Sequence, residues 1–249
     1  PGSRVPAVDP VDVLAIGAHP DDVELGCGAT LAQLAAAGRR IGILHLTAGE
    51  SGSRGSAAVR RREAERAAAE LGAVALELLD FGDGALRTGP AEEDELIAVL
   101  RRLRPELVLG PTPADRHPDH GRAHRLVADA CFYAGLARRG AGAPHRPAAL
   151  YSYMQHDPFE VDFVVDATAG WPAKMRALDA YASQIHPGDE SDAGAGPRTK
   201  VSSREFRLAV EGRARHFGQL IGAELGEPFR SAVPLAVRDP WELLPRGLR

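Results

Sequence analysis

The sequence predicts an α/β fold: a Rossmann-like, mostly parallel sheet with helices on both faces. Three features point there. Short apolar, β-branched runs alternate with amphipathic stretches of helical period, Pro and Gly punctuate the junctions, and two histidine-rich clusters each sit between an apolar run and a helical one. Repeated strand–helix units give parallel neighbours joined by right-handed crossovers. In a sheet of order 3-2-1-4, the carboxyl ends of strands 1 and 4 form the crevice where ligands bind.

Val11–Ala18, bounded by Pro10 and Pro20, reads as a buried first strand. Gly28–Gly38 follows as helix, with Leu31, Leu34 and Ala35 on one face. Ile41–Thr47 is the second strand, Ala57–Leu71 the second helix and Val74–Asp80 the third strand. Pro90–Arg104 carries its own helix signals: Pro90 in the first turn, Glu92, Glu93 and Asp94 at the positive end of the dipole, and Arg101, Arg102 and Arg104 at the negative end. Leu107–Gly110 is the fourth strand, and His120–Arg138 the fourth helix. Beyond Pro147 come strands Ala148–Met154 and Val161–Asp166, then a helix Trp171–Ser183 with Pro172 in its first turn. The Gly-, Pro-, Asp- and Ser-rich stretch 186–200 predicts a flexible loop, with Asp189–Asp192 as a lid. Ser202-x-x-Glu205 reads as a capping box opening a last helix to about Leu225. A single domain over 1–249, with a tail at 1–10, is the expectation; Pro1-Gly2-Ser3 reads as a processed end or cloning scar.

The composition narrows the function. With 249 residues, of which 44% are hydrophobic and 26% charged, the chain can bury a full core without staples. Thirty basic against thirty-four acidic residues leave a net charge of −4, which argues against nucleic acid as a partner. No apolar stretch approaches the ~20 residues of a membrane span, and the opening residues do not have the pattern of a signal peptide. Two cysteines, Cys27 and Cys131, exclude a disulfide framework and point to a reducing cytoplasm.

The chemistry is concentrated after strands 1 and 4. The first carries His19-Pro20-Asp21-Asp22, the second Asp115-Arg116-His117-Pro118-Asp119-His120. Imidazoles and a carboxylate drawn from both loops make a borderline-soft site suited to Zn²⁺, with Fe²⁺ as second candidate. Asp21 and Asp22 are adjacent and cannot point the same way, so one can bind metal while the other takes a proton from water. His117 and Asp119 offer an imidazole and an orienting carboxylate.

Ala18-His19-Pro20-Asp21-Asp22 with Glu24 and Gly26, Thr47-Ala48-Gly49-Glu50-Ser51-Gly52, His117-Pro118-Asp119-His120 and Tyr181-Ala182-Ser183-Gln184 together resemble the PIG-L/LmbE-like zinc deacetylases. Within that family the chain looks closest to the bacillithiol-biosynthesis branch, which removes acetyl from N-acetylglucosaminyl malate. The resemblance implies His19, Asp22 and His120 as metal ligands and Asp21 as base. It also implies His117, oriented by Asp119, as oxyanion partner or acid, and Glu50, Arg60, Asp83 and Gln184 on the substrate side. It implies an N-acetylated amino sugar as substrate, with deacetylation of an inositol conjugate, diacetylchitobiose or a glycopeptide as alternatives, and a homo-oligomer, trimer or hexamer; outside that reading, the residues leave a non-catalytic Rossmann-like ligand-binding protein as the rival. The tyrosine that family members place near the oxyanion has no evident counterpart, since Tyr181 falls within a predicted helix.

The remaining candidates read as structural. His124, one turn beyond His120, reads as a surface histidine. Gly26-x-Gly28 lacks the third glycine of a dinucleotide fingerprint, where Leu31 stands, and Cys27 reads as a small buried residue. His45, His145, His156, His186 and His216 read as structural or surface, with His186 the strongest exception.

Overall fold

The structure, a computed structural model, describes residues 9–185, 197 and 199–243. Five parallel strands form its centre: β1 (Val13–Gly17), β2 (Ile41–His45), β3 (Ala75–Leu78), β4 (Leu107–Gly110) and β5 (Ala149–Tyr153). Two more, β6 (Phe163–Asp166) and β7 (Gly226–Ser231), complete one sheet of order β3-β2-β1-β4-β5-β7-β6, in which β7 runs antiparallel to both neighbours. Val13 of β1 pairs with Ile41 on one side and Leu107 on the other, so the expected 3-2-1-4 order holds.

Alternation along the strands builds two cores. Leu14, Ile16, Leu44 and Val108 face helices α3 (Pro90–Leu103) and α4 (Pro118–Ala134). Val13, Ala15, Ile41, Ile43 and Leu109 face α1 (Asp22–Ala36), α2 (Ala57–Glu70), α5 (Trp171–Asp179) and α6 (Arg204–Ile221). All five residues of β1 are buried, as a strand covered on both faces must be.

The structure corrects several boundaries. Helix α1 begins at Asp22, not Gly28, and is broken at Cys27 (φ −143°, ψ 19°); the polar first turn that reads as loop is helical because it is buried under the sheet end. Helix α4 begins two residues early because His117 caps it, and ends at Ala134. Helix α5 stops at Asp179, so Tyr181 lies beyond it rather than inside. The cap of α6 is Ser203, whose Oγ accepts from the Phe206 N–H (3.1 Å); the Ser202 hydroxyl turns back to donate to the Thr199 carbonyl (3.1 Å). Gly222, left-handed at φ 73°, ends α6 before Leu225. Strand β7 has no counterpart in the sequence reading, because Gly226-Glu227-Pro228 has no apolar alternation. The predicted lid at Asp189–Asp192 and His186 lie outside the described residues. No described helix is long and apolar enough to cross a membrane.

Candidate metal centre

The two histidine loops leave the sheet side by side. After β1 the chain turns tightly: the His19 N–H donates to Asp22 Oδ2 (2.8 Å), and the Thr47 hydroxyl ties down the Ala18 carbonyl (2.9 Å). Asp21 occupies the left-handed region (φ 101°), a strained conformation, and its carboxylate meets Arg60 (3.4 Å) whereas that of Asp22 meets His19, His120 and Gln155. After β4, His117 becomes the cap of α4: its Nδ1 accepts from the Asp119 N–H (3.2 Å), so the neutral ring carries its proton on Nε2.

Asp22, buried, is the point of convergence. His19 Nδ1 lies 3.4 Å from one of its oxygens and His120 Nε2 3.3 Å from the other. The far nitrogen of each histidine meets a different carboxylate. His19 Nε2 lies 3.1 Å from Asp83 and 3.3 Å from Asp119, while His120 Nδ1 lies 3.1 Å from Asp115, close for the charge but off-line for a hydrogen bond. Imidazoles with one nitrogen turned inward and the other backed by a carboxylate have the arrangement of metal-ligating histidines. His19, His117 and His120 can each offer a nitrogen within 4.8 Å of the others. His19, Asp83 and Asp119 form a second such group, but it would consume the carboxylates that orient His19. Four carboxylates around two inward imidazoles suit a divalent cation.

The electrostatics agree. Burial alone would raise Asp22, but His120 and His19 hold it well below the usual carboxylate range. Burial would lower His120, yet Asp22 and Asp115 push it up to about 9, and Asp119, Asp22 and Asp83 likewise overrule burial at His19. Asp21 behaves oppositely: burial lifts it to about 7, with Arg60 pulling it back.

His19, Asp21, Asp22, His117 and His120 line a cavity of about 400 Å³, which also includes Ser51, Arg116, His156, Gln184 and Lys200. Arg60 lines it with its guanidinium already engaged, donating to the Pro20 and Gly49 carbonyls and lying 3.4 Å from Asp21. Gly49 takes the left-handed backbone (φ 67°) that favours glycine, and a Cβ there would also crowd the Arg60 guanidinium. Asp83 and Gln184 line the cavity too, but Glu50 does not: its carboxylate accepts the N–H groups of Asp83 (2.8 Å) and Ala48 (3.2 Å) and so holds the Asp83 loop in place. Asp119 orients His117 through its backbone alone; its carboxylate accepts from Gly84 N, Leu86 N and Arg122 and faces His19. Tyr181, fully buried, donates to Glu24 (3.0 Å) and does not line the cavity. His124 is half-buried rather than a surface residue, hydrogen-bonded to the Pro111 carbonyl (3.0 Å).

Three residues of the centre carry no role in the sequence reading. Asp115 backs His120; Gln155, buried, donates to Asp22 Oδ1 (2.6 Å); and His156 lines the cavity. Gln155 and His156 follow β5, which neighbours β4 in the sheet, so the rule that places ligands at strand carboxyl ends is the signal that finds them.

Residues 14–131 match the family described as PIG-L: GlcNAc-PI de-N-acetylase. The chain is 35% identical over 196 residues to a diacetylchitobiose deacetylase of Thermococcus kodakarensis, covering 72% of each protein. It is 27% identical over 283 aligned positions to a Catenulispora acidiphila 1D-myo-inositol 2-acetamido-2-deoxy-alpha-D-glucopyranoside deacetylase, covering 93% of each. The crystal structure of a conserved protein from Thermus thermophilus, TT1542, superposes with a TM-score of 0.83 at 37% identity, over 93% of this chain and 98% of that one. With a relative of that identity and coverage, and with the histidine motifs, Asp21 and Asp22 folded around one cavity, the chain belongs to the PIG-L/LmbE family of deacetylases.

Proposed function

We propose that this chain hydrolyses the N-acetyl group of an N-acetylglucosamine conjugate, releasing acetate and the free amine, with one divalent cation held by His19, Asp22 and His120. The observation that carries this is the Asp22 carboxylate facing the inward nitrogens of both histidines at the floor of the cavity. Zn²⁺ suits the donor set, with Fe²⁺ the second candidate. Bound there, the cation supplies Lewis acidity toward the acetamide carbonyl and toward water.

The protein groups supply the rest. Asp21, held by Arg60 and facing the cavity, takes the proton from the attacking water. His117 presents Nε2–H to the leaving nitrogen or to the developing oxyanion. Arg60, Asp83 and Gln184 border the space for the sugar, while Glu50 acts indirectly by fixing the Asp83 loop.

The relatives compared above act by name on diacetylchitobiose and on an inositol conjugate, and these are the first substrates to try. Neither lends support to the malate conjugate. The test is acetate release from diacetylchitobiose, the inositol conjugate and N-acetylglucosaminyl malate, before and after chelation. Release from at least one, abolished by chelator and restored by Zn²⁺ or Fe²⁺, is expected; release from none, or release indifferent to chelator, refutes the proposal.

A further inference from the structure

The loop after β5 brings a further imidazole into the cavity. The His156 N–H donates to Asp115 Oδ2 (3.0 Å), while the other oxygen of Asp115 lies 3.1 Å from His120 Nδ1. One carboxylate thus fixes both a ligand histidine and the backbone of residue 156. The His156 ring stacks nearly parallel on His120 (centroids 5.8 Å apart, 9° between planes) and packs against Phe206 (5.7 Å). His120 also stacks with His117 (5.0 Å, 24°).

Held on both sides, the His156 ring lines the cavity, and among the described residues its nitrogens have no hydrogen-bond partner. The other imidazoles there are committed: His19 through both nitrogens, His120 between Asp22 and Asp115, His117 through Nδ1. The four tyrosines are engaged or sited elsewhere. Tyr153 donates to the Ile16 carbonyl (2.8 Å), Tyr181 donates to Glu24, Tyr151 lines an apolar groove beside α1, and Tyr133 packs with Phe132. A ring fixed by stacking, with an uncommitted N–H in a reaction cavity, is a preorganised donor.

We propose that His156 is a second catalytic imidazole, its N–H donating to the acyl oxygen of the bound acetamide while His117 serves the departing nitrogen. This rests on the deacetylase reading. The water oxygen bonds to the acyl carbon as its proton passes to Asp21, and the carbonyl π pair moves onto oxygen, where His156 meets it. That pair then returns, the C–N bond breaks toward nitrogen, and the nitrogen takes the proton taken up by Asp21. The acetic acid so formed yields its own proton to the amine, leaving acetate and an ammonium.

The test compares the metal-loaded wild type with His156→Phe, which keeps the stacking ring and removes the donor, and His156→Gln, which keeps an N–H. On diacetylchitobiose, or whichever conjugate the wild type hydrolyses, His156→Phe is expected to lower kcat by about 10²–10³-fold, the scale for removing one oxyanion donor. Its KM should stay within about threefold and its metal content unchanged, while His156→Gln should recover at least about tenfold of the lost rate. Should the phenylalanine variant fail to fold by circular dichroism, His156→Ala is read by the same criteria. An active wild type with an indifferent His156→Phe overturns this inference alone, as does a rate that falls only in step with lost metal or a glutamine variant no better than phenylalanine. A wild type that releases acetate from no conjugate overturns the deacetylase reading, and this inference with it.

Discussion

Among the described residues, the buried charges around Glu227 and those around Asp22 are built on opposite plans. Around Glu227 every group is satisfied. Its carboxylate accepts from the Ala29 and Thr30 N–H groups, the Thr30 hydroxyl and Lys174 Nζ (2.6 Å), and Lys174 also donates to the Leu25 carbonyl. The carboxylate sits where α1 restarts after its break at Cys27, at the positive end of a helix dipole. Around Asp22 the accounting stays open: among the described residues Glu24 Oε2, Gln155 Oε1 and Arg60 Nε are buried without partners, Asp21 is strained, and the cluster faces a cavity. A saturated cluster holds a fold together, whereas an unsaturated one is prepared for something not yet bound.

Substitutions can break that contrast. Asp21→Asn, which keeps the shape and tolerates the left-handed backbone, should lower turnover by about 10²–10⁴-fold in steady-state assays while metal content and Tm stay put. An unimpaired Asp21→Asn would remove Asp21 as the base. The closed cluster should respond in stability instead. Glu227→Ala leaves Lys174 buried and unpaired, which should cost about 3–5 kcal/mol in denaturant unfolding, whereas Lys174→Met with Glu227→Leu should return only part of that loss, because the Ala29 and Thr30 N–H groups stay unpaired. A smaller effect, and one that sharpens the contrast, belongs to Gln155→Leu. It frees Asp22 from its orienting donor and should weaken divalent-cation binding by about 10–100-fold in competition titrations, with little change in the Tm of the metal-free protein. The smallest effect is no reaction at all. Burial pushes the Cys131 thiol up to about 12 and Cys27 well above its ordinary value, so at pH 8 both remain protonated thiols. Neither should react with a disulfide reagent until the chain unfolds.

The sequence made the parallel half of the sheet legible and left the antiparallel edge dark. Strands β1, β2 and β4 are continuous apolar runs because both faces are covered, and such runs stand out; β4 matches its expected bounds, Leu107–Gly110. Strand β7 reads Gly-Glu-Pro-Phe-Arg-Ser, and its buried Glu227 is tolerable only because Lys174, 53 residues away, and the broken α1 meet it. No local pattern carries that information. The same division holds at the centre. His19, Asp22, His117 and His120 announce themselves as dense polar clusters after strands, whereas Gln155 and His156 are an ordinary pair of residues until β5 is known to lie against β4. Glu50 shows a further limit: a motif residue can be needed for the loop it fixes rather than for what it touches in the cavity.

The most direct test of the central claim is the location of the metal. A crystal structure of the metal-loaded protein, with the ion placed by its anomalous signal, should show one cation per chain held by His19 Nδ1, Asp22 and His120 Nε2, and His120→Ala should lose it by elemental analysis. A cation found instead between His19 Nε2, Asp83 and Asp119, or a protein that binds no divalent metal, would contradict the account.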